Sequence, residues 1–475
     1  MRTVIHNSGL ILIGLGLSLG ADAGDWRFAS NVSVEEIYSD NIDLEADNEQ
    51  SDQLTRISPK ISLRGEGRHL DVDFSYQLTE QRSQHDASRS QATHQLSTNG
   101  QAELAERTFF LDFSGNVSQQ SINNVNNAGL NENVVDNDNV DDVYTLEISP
   151  FFVHRLGQYV STEGRTRWNK VFNQSEQVED SVSIENSFTV RSGEYFTVVP
   201  WRVTYRDSVV TEDGQDDQEF SSLDARVSYI INHSYTTFVN LGYEDNTFDS
   251  NDSDVDQNSV TWSVGVAWTP STRTLLEALW GKGAFGNTFG LDFSHRSRRS
   301  VWTATYNEQI TNARSEQLAF APLQSLLVGR NEIVSPNVFV ALPTLVNEVF
   351  ISRSFLLGVA FRGQRSDASW ELFYNARTFQ ESEEDERVFG VRLGFTRSLT
   401  PKTSFNVTAD WEQTAFRDDV LDGEDEVWSI GVGLTKRLTP NSSLALRLEH
   451  RVRSSDDANN EFTENNASLS WSLAL

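Results

Sequence analysis

Ten arginines occupy the polar phase of segments in which polar and apolar residues alternate: Arg165, Arg167, Arg202, Arg206, Arg226, Arg377, Arg392, Arg447, Arg451 and Arg453. Carboxylates share that phase, among them Asp73, Asp112, Glu147, Glu163, Glu185, Asp224, Glu371, Asp410, Glu412 and Glu449. A guanidinium is a planar fork of donors that fits a carboxylate or an acidic sugar. Two chemistries are open to such a set. The arginines can line a lumen that passes or holds an anionic polymer, or the two signs can pair across neighbouring strands and stiffen a wide wall. The near-equal numbers of the two signs favour the ladder.

Catalytic and metal chemistry has less to stand on. Past the leader the histidines are His69, His85, His94, His154, His233, His295 and His450, and none forms a His-Glu-x-x-His pair. No Gly-x-Ser-x-Gly elbow is present. Asp252, Asp254 and Asp256 have the opening spacing of a calcium loop, but Gln257 stands where the loop needs glycine and Ser263 where it needs glutamate. The chain has no cysteine, which removes thiol catalysis, zinc fingers and disulfide scaffolds. A net charge of -31 and a pI near 4.6 speak against a nucleic-acid partner. No enzyme activity, cofactor or metal is expected.

The elements that must position these side chains are strands. Leu70, Val72, Phe74, Tyr76 and Leu78 alternate with Asp71, Asp73, Ser75 and Gln77, and Trp262, Val264, Val266 and Trp268 alternate with Ser263, Gly265 and Ala267. A period of two gives a strand with one apolar face. Tight turns centred at 66, 106, 157, 193, 233, 270, 298, 366, 401 and 440 mostly repeat at 35 to 40 residues, with other gaps of 51, 28 and 68, of which the last two are the most irregular. Ten hairpins with a strand at each end make 22 strands, within a range of 18 to 24. Eight longer spans between the turns hold 41 of the 69 acids, with Arg387 as their one basic residue.

Short turns on one side and long polar loops on the other are the asymmetry of a transmembrane antiparallel up-and-down β-barrel in an outer membrane, turns periplasmic and loops extracellular. Ten tryptophans lie in strands, many near strand ends, as interfacial girdle residues do. The last strand alternates Leu469, Trp471, Leu473 and Leu475 with Ser470, Ser472 and Ala474. Residues 1–23 read as a secretory signal, with an apolar Leu10 to Leu19 stretch and Ala21-Asp22-Ala23 before the cleavage point. The barrel then occupies 24–475 with no plug domain, since strand pattern begins near Trp26. On an apolar outer face, arginine at Val264 or Val432 is expected to cost more than arginine at inward Ser263 or Gly265. Segment 312–350 is the longest and most apolar connection. It is expected to constrict the lumen, cap the mouth, or hold an extra hairpin at Ile333 to Val346.

The stretches Glu35-Glu36-Ile37-Tyr38-Ser39-Asp40-Asn41, Ile57-Ser58-Pro59-Lys60-Ile61-Ser62-Leu63-Arg64-Gly65-Glu66-Gly67-Arg68 and Tyr144-Thr145-Leu146-Glu147-Ile148-Ser149-Pro150-Phe151, with Asn-rich Ser118 to Asn123, resemble the PEP-CTERM system-associated outer-membrane proteins. The resemblance implies a role beside exopolysaccharide and exosortase loci and assigns no active site. The expectation is a channel or scaffold for exopolysaccharide export or surface retention in the outer membrane of a Gram-negative bacterium. Its partners would be outer-membrane lipid and lipopolysaccharide, anionic polysaccharide and periplasmic export proteins. A general uptake porin and a sealed adhesin or anchor are the alternatives.

Overall fold

The computed structural model describes residues 24–475 apart from 87–88, 122–139, 175–178, 213, 215, 252–256, 313–347, 383–384 and 418–421. Period-two segments become β1 (Asp25–Ser39), β2 (Asp52–Glu66), β3 (Leu70–Ser83), β4 (Gln91–Ala105), β5 (Phe109–Ser121), β6 (Val140–Leu156), β7 (Val160–Asn173) and β8 (Ser181–Ser192). They continue as β9 (Trp201–Glu212), β10 (Gln218–Ile230), β11 (Tyr235–Thr247), β12 (Asn258–Ser271), β13 (Thr274–Gly283), β14 (Gly286–Arg296) and β15 (Ser300–Asn312). The ring is completed by β16 (Val349–Arg362), β17 (Ser366–Phe379), β18 (Asp385–Thr400), β19 (Thr403–Arg417), β20 (Asp422–Thr439), β21 (Ser442–Ser455) and β22 (Phe462–Ala474).

Every sequential pair is antiparallel, and β22 closes on β1 from Asn31↔Ala474 to Ser39↔Asn466. The result is a closed barrel of 22 strands with no α-helix among the described residues. Closure leaves no free sheet edge along most of the wall, which is what a lipid-facing sheet requires. Short turns gather at one end with both strand termini, and the acid-rich loops gather at the other.

The curvature tells which face is inside. Arg226 on β10 meets Glu277 on β13 at 3.0 Å with two strands between them. On a flat sheet three strand spacings are roughly 14 Å, so these side chains can meet only across the concave face. The polar phase therefore points into the lumen and the apolar phase outward, where Val264 and Trp262 remain 43% and 37% exposed for want of protein to cover them. Aromatic rings lie over glycines directly across the ladder: Trp26 on Gly65, Phe113 on Gly100, Phe238 on Gly265 and Phe373 on Gly390. Each ring fills the space that a Cβ would take. That corrects the expectation at Gly265, where any side chain would overlap the Phe238 ring and the Ala278 carbonyl.

Two irregular spacings now have causes. The gap of 28 holds a complete short hairpin, β13 and β14, joined by Ala284 and Phe285 with Gly286 at φ 105. In the same region the turn expected at Thr269-Pro270-Ser271 forms two residues later, at 272–273, because the ladder skips from Trp268 to Ser271. Pro270, which has no N–H to donate, sits in that skip. The gap of 68 contains the long connection. β15 and β16 pair directly on either side of it, from Ser300↔Phe361 to Asn312↔Val349, so no extra hairpin stands between them in the wall.

Most ladders run for nine to fifteen pairs, but β14 and β15 share six, from Leu291↔Tyr306 to Arg296↔Val301. Among the described residues, the loop-end halves, Gly286–Gly290 and Asn307–Asn312, pair with their other neighbours alone.

Candidate functional site: the charged lumen and the loop-end mouth

Because paired residues in an antiparallel ladder share a face, the alternation carries all ten arginines to the concave side. Nine of them meet a carboxylate within 4.0 Å. Arg165 reaches Asp112 at 2.6 Å and Glu163 at 3.6 Å, and its guanidinium stacks 3.9 Å over the Phe151 ring. Arg167 bridges Glu147 at 3.2 Å and Glu185 at 2.7 Å. Arg392 donates to Glu371 at 3.0 Å, lies 4.0 Å from Glu412, and is covered by Phe373. Nearer the loop end, Arg377 pairs with Glu386 at 3.1 Å and Arg453 with Asp425 at 2.5 Å. Glu449 takes Arg447 at 2.9 Å and Arg451 at 3.5 Å. Arg226 joins Glu277 beneath Phe238, and Arg206 makes a loose, exposed contact with Asp224 at 3.8 Å. Asp73 lies 3.8 Å from Arg64, and Asp410 accepts from the Ser429 hydroxyl at 3.1 Å.

Arg202 differs. Its cross-strand partners are Arg191 on one side and Arg226 on the other, so three guanidinium groups stand in a row across β8, β9 and β10 near the turn end. Among the described residues neither Arg191 nor Arg202 has an ion pair. A row of like charges is destabilising unless something answers it.

Further lumen-phase arginines lie outside the sequence-derived set, among them Arg191, Arg64 opposite Asp73, and Arg56. Arg56 pairs with Glu35 at 3.3 Å and donates to Gln81 at 2.8 Å across three adjacent strands. Its signal was available in the alternation of Leu54, Arg56, Ser58 and Lys60 with Thr55, Ile57, Pro59 and Ile61. Contacts between strands that are not neighbours had no such signal.

At the loop end the first two loops fold onto the wall. Ile42 packs with Ile37 and Leu54. Buried Asp52 accepts the Ser83 hydroxyl at 2.5 Å and lies 2.8 Å from His85 Nδ1. Arg89 joins Asp43 and Asp52; burial alone would lower its pKa, but the two carboxylates outweigh that and hold it above the ordinary arginine value.

On the opposite flank, the Asn312 amide at the tip of β15 donates to Gln218 at the tip of β10, 2.6 Å away, although four strands separate them in the ring. Asn251, in the β11–β12 loop, donates to the Gln380 and Glu381 carbonyls at 2.8 and 2.6 Å. Glu348 accepts the Glu381 and Ser382 amides. Contacts at Asn312 and Glu348, which flank the long connection, and at Asn251 therefore tie separate parts of the loop-end rim together. Of segment 312–350 only Asn312 and Glu348–Phe350 are described; the rest of it, the 252–256 acid triplet and the leader at 1–23 lie outside the described residues.

Comparison with known proteins finds similarity to one family over part of the chain and to solved structures over most of it. The sequence profile of the family described as surface lipoprotein assembly modifier matches residues 346–475, the part that carries β16 to β22. No match is found among curated proteins. Among solved structures, the FrpB iron transporter from Neisseria meningitidis is similar at a TM-score of 0.53 and 9% identity, over 94% of this chain and 81% of that one. The siderophore receptor PirA from Acinetobacter baumannii is similar at a TM-score of 0.51 and 8% identity, over 94% of this chain and 80% of that one. These likenesses show the fold alone, a closed antiparallel β-barrel.

Proposed function

We propose that this barrel is an outer-membrane conduit that helps place lipid-anchored proteins on the cell surface, without enzymatic activity and without a globular plug. The observation that carries the reading is the coincidence of a closed 22-strand barrel with the match of β16 to β22 to a surface lipoprotein assembly family. In this reading the secretory leader takes the chain to the outer membrane, the acid-rich loops face the medium, and the tight turns face the periplasm. Its partners are lipid, lipopolysaccharide and periplasmic export proteins. The ion-paired lumen suits a wall that must keep its shape around a bulky passenger. Nine paired arginines offer little free positive charge to a small anionic solute.

A second reading keeps an acidic polysaccharide as the passenger, and one observation favours it. Arg191 and Arg202 stand without carboxylate partners among the described residues, side by side near the turn-end mouth.

One experiment separates the two. Deleting the gene and treating whole cells with protease should leave lipoprotein that was accessible in the parent strain protected inside, with cell-bound acidic polysaccharide unchanged. Loss of polysaccharide with lipoprotein display intact would transfer the function to the second reading. No change in either would sink both.

A further inference from the structure

We propose that the loop-end halves of β14 and β15 form a lateral gate, through which the acyl chains of a lipid-anchored protein pass from the lumen into the bilayer. The inference rests on the lipoprotein reading for its passenger and on the wall itself for its place.

Two anomalies coincide there. The first is the ladder. Continuing its register would pair Gly290 with Asn307 and Phe289 with Glu308, yet pairing stops at Leu291↔Tyr306. Five residues of edge without a partner strand are roughly 17 Å along the strand, or roughly 12 Å of depth at a tilt of about 45°, a large part of one leaflet of a hydrocarbon core of about 30 Å. Backbone polar groups left open toward lipid are costly, so a barrel does not keep such an edge without cause. The second anomaly is Glu308. It lies on the outward phase, where carboxylates are disfavoured, and its side chain is only 7% exposed. Its carboxylate accepts the Phe289 N–H at 3.0 Å, a donor that a continued ladder would give to a backbone carbonyl. The Tyr306 hydroxyl donates to the same carboxylate at 2.5 Å, and Arg353 lies 3.9 Å away. A side chain thus stands in for the strand bond. Such a latch can let go without unravelling the hairpin, because β14 remains held by β13 and β15 by β16.

The surroundings suit an acyl chain. On the outer surface beside the gap, Phe289 and Trp280 are 51% and 46% exposed, and Trp262 packs edge-on against Trp280. The inward positions are Thr288, Asn307 and Gln309, which would face the polar part of the passenger. Short β13 and β14 also lower the wall, so a lipid leaving here enters the loop-side leaflet.

The absence of native cysteine makes a clean test. The pair T288C/Q309C would tie the open edges on the lumen side, and S294C/T303C would tie the same two strands where they already pair. Both variants are first checked for heat-modifiable folding, then assayed for protease-accessible lipoprotein on whole cells, oxidised and reduced. The gate requires that the first disulfide forms and lowers display to the level of the deletion strain, with recovery on reduction, while the control disulfide leaves display unchanged. Full display with the first pair oxidised would overturn the gate, and so would failure of that pair to form a disulfide, since the edges would then not come together. Normal display in the deletion strain would instead overturn the lipoprotein reading, which no result from the disulfide pairs can do.

Discussion

The β18–β20 wall and the β13–β15 wall are built from the same alternation and end up with opposite properties. Strands β18, β19 and β20 have 16, 15 and 18 residues, and their ladders run from rim to turn with Arg392, Glu371 and Glu412 knitted across the lumen side. Strands β13 and β14 have 10 and 11 residues, little more than the 9 to 11 or so that a tilted strand needs to cross a bilayer. Length therefore decides where the wall is strong. A long hairpin pairs along both flanks and carries a network of lumen ion pairs, whereas the short one leaves half of its β14 flank without a partner and contributes Glu277 alone to such a pair among the described residues.

The largest effect should come from breaking the strong wall at its buried charge. Arg392 is 4% exposed, and its removal leaves Glu371 and Glu412 without their cation. Arg392→Met should cost about 3 to 5 kcal/mol, the usual penalty for taking one partner from a buried pair. Denaturant unfolding in detergent micelles or vesicles would measure it. A loss below about 1 kcal/mol would mean that lumen water screens these groups as it does surface pairs. Adding Glu371→Gln to Arg392→Met should recover part of the loss.

The outer face gives the next contrast. Val432, on β20, lies well inside a full ladder, whereas Phe289 lies at the gap near the rim. Val432→Arg should cost about 2 to 4 kcal/mol at midplane depth, and Phe289→Arg about 0 to 1 kcal/mol nearer the interface. Phe289→Arg would also bring a cation beside Glu308. Equal costs at the two sites would remove the difference in membrane depth on which the gate depends.

How much of this was legible beforehand follows from the range of each interaction. Period-two alternation and turn chemistry are local, so the strand number and the side to which Arg165 or Arg392 points could be read directly. Arg56 could have been found in the same way. The ring on Gly265 could not, because Phe238 lies 27 positions away and nothing local marks it as the covering group. Pairing between strands that are not neighbours, as in Arg226 with Glu277 or Asn312 with Gln218, depends on curvature, which the pattern does not encode. The gap is harder still. The spacing of 28 residues and the carboxylate of Glu308 on an otherwise apolar phase were its traces, and only the register shows that the strands have parted.

The smallest effect on stability, and the sharpest one on selectivity, belongs to the arginines that the walls leave unpaired. Arg202 is exposed and faces Arg191 and Arg226, so removing its charge breaks no bond and relieves repulsion between neighbours. Arg202→Gln and Arg191→Gln should each change stability by no more than about 0.5 kcal/mol, as surface substitutions away from special contacts do. Their influence on passing ions is a different matter. Most other guanidinium groups of the described lumen are answered by carboxylates, so this row supplies a local positive field near the turn-end mouth. Planar-bilayer reversal potentials in a salt gradient should shift toward cations in the R191Q/R202Q double variant and should shift far less in R167Q/E185Q, which removes an ion pair and leaves the net charge unchanged. An equal shift in both variants would mean that the charge of the row does not decide what an ion senses, and the polysaccharide reading would lose its one support.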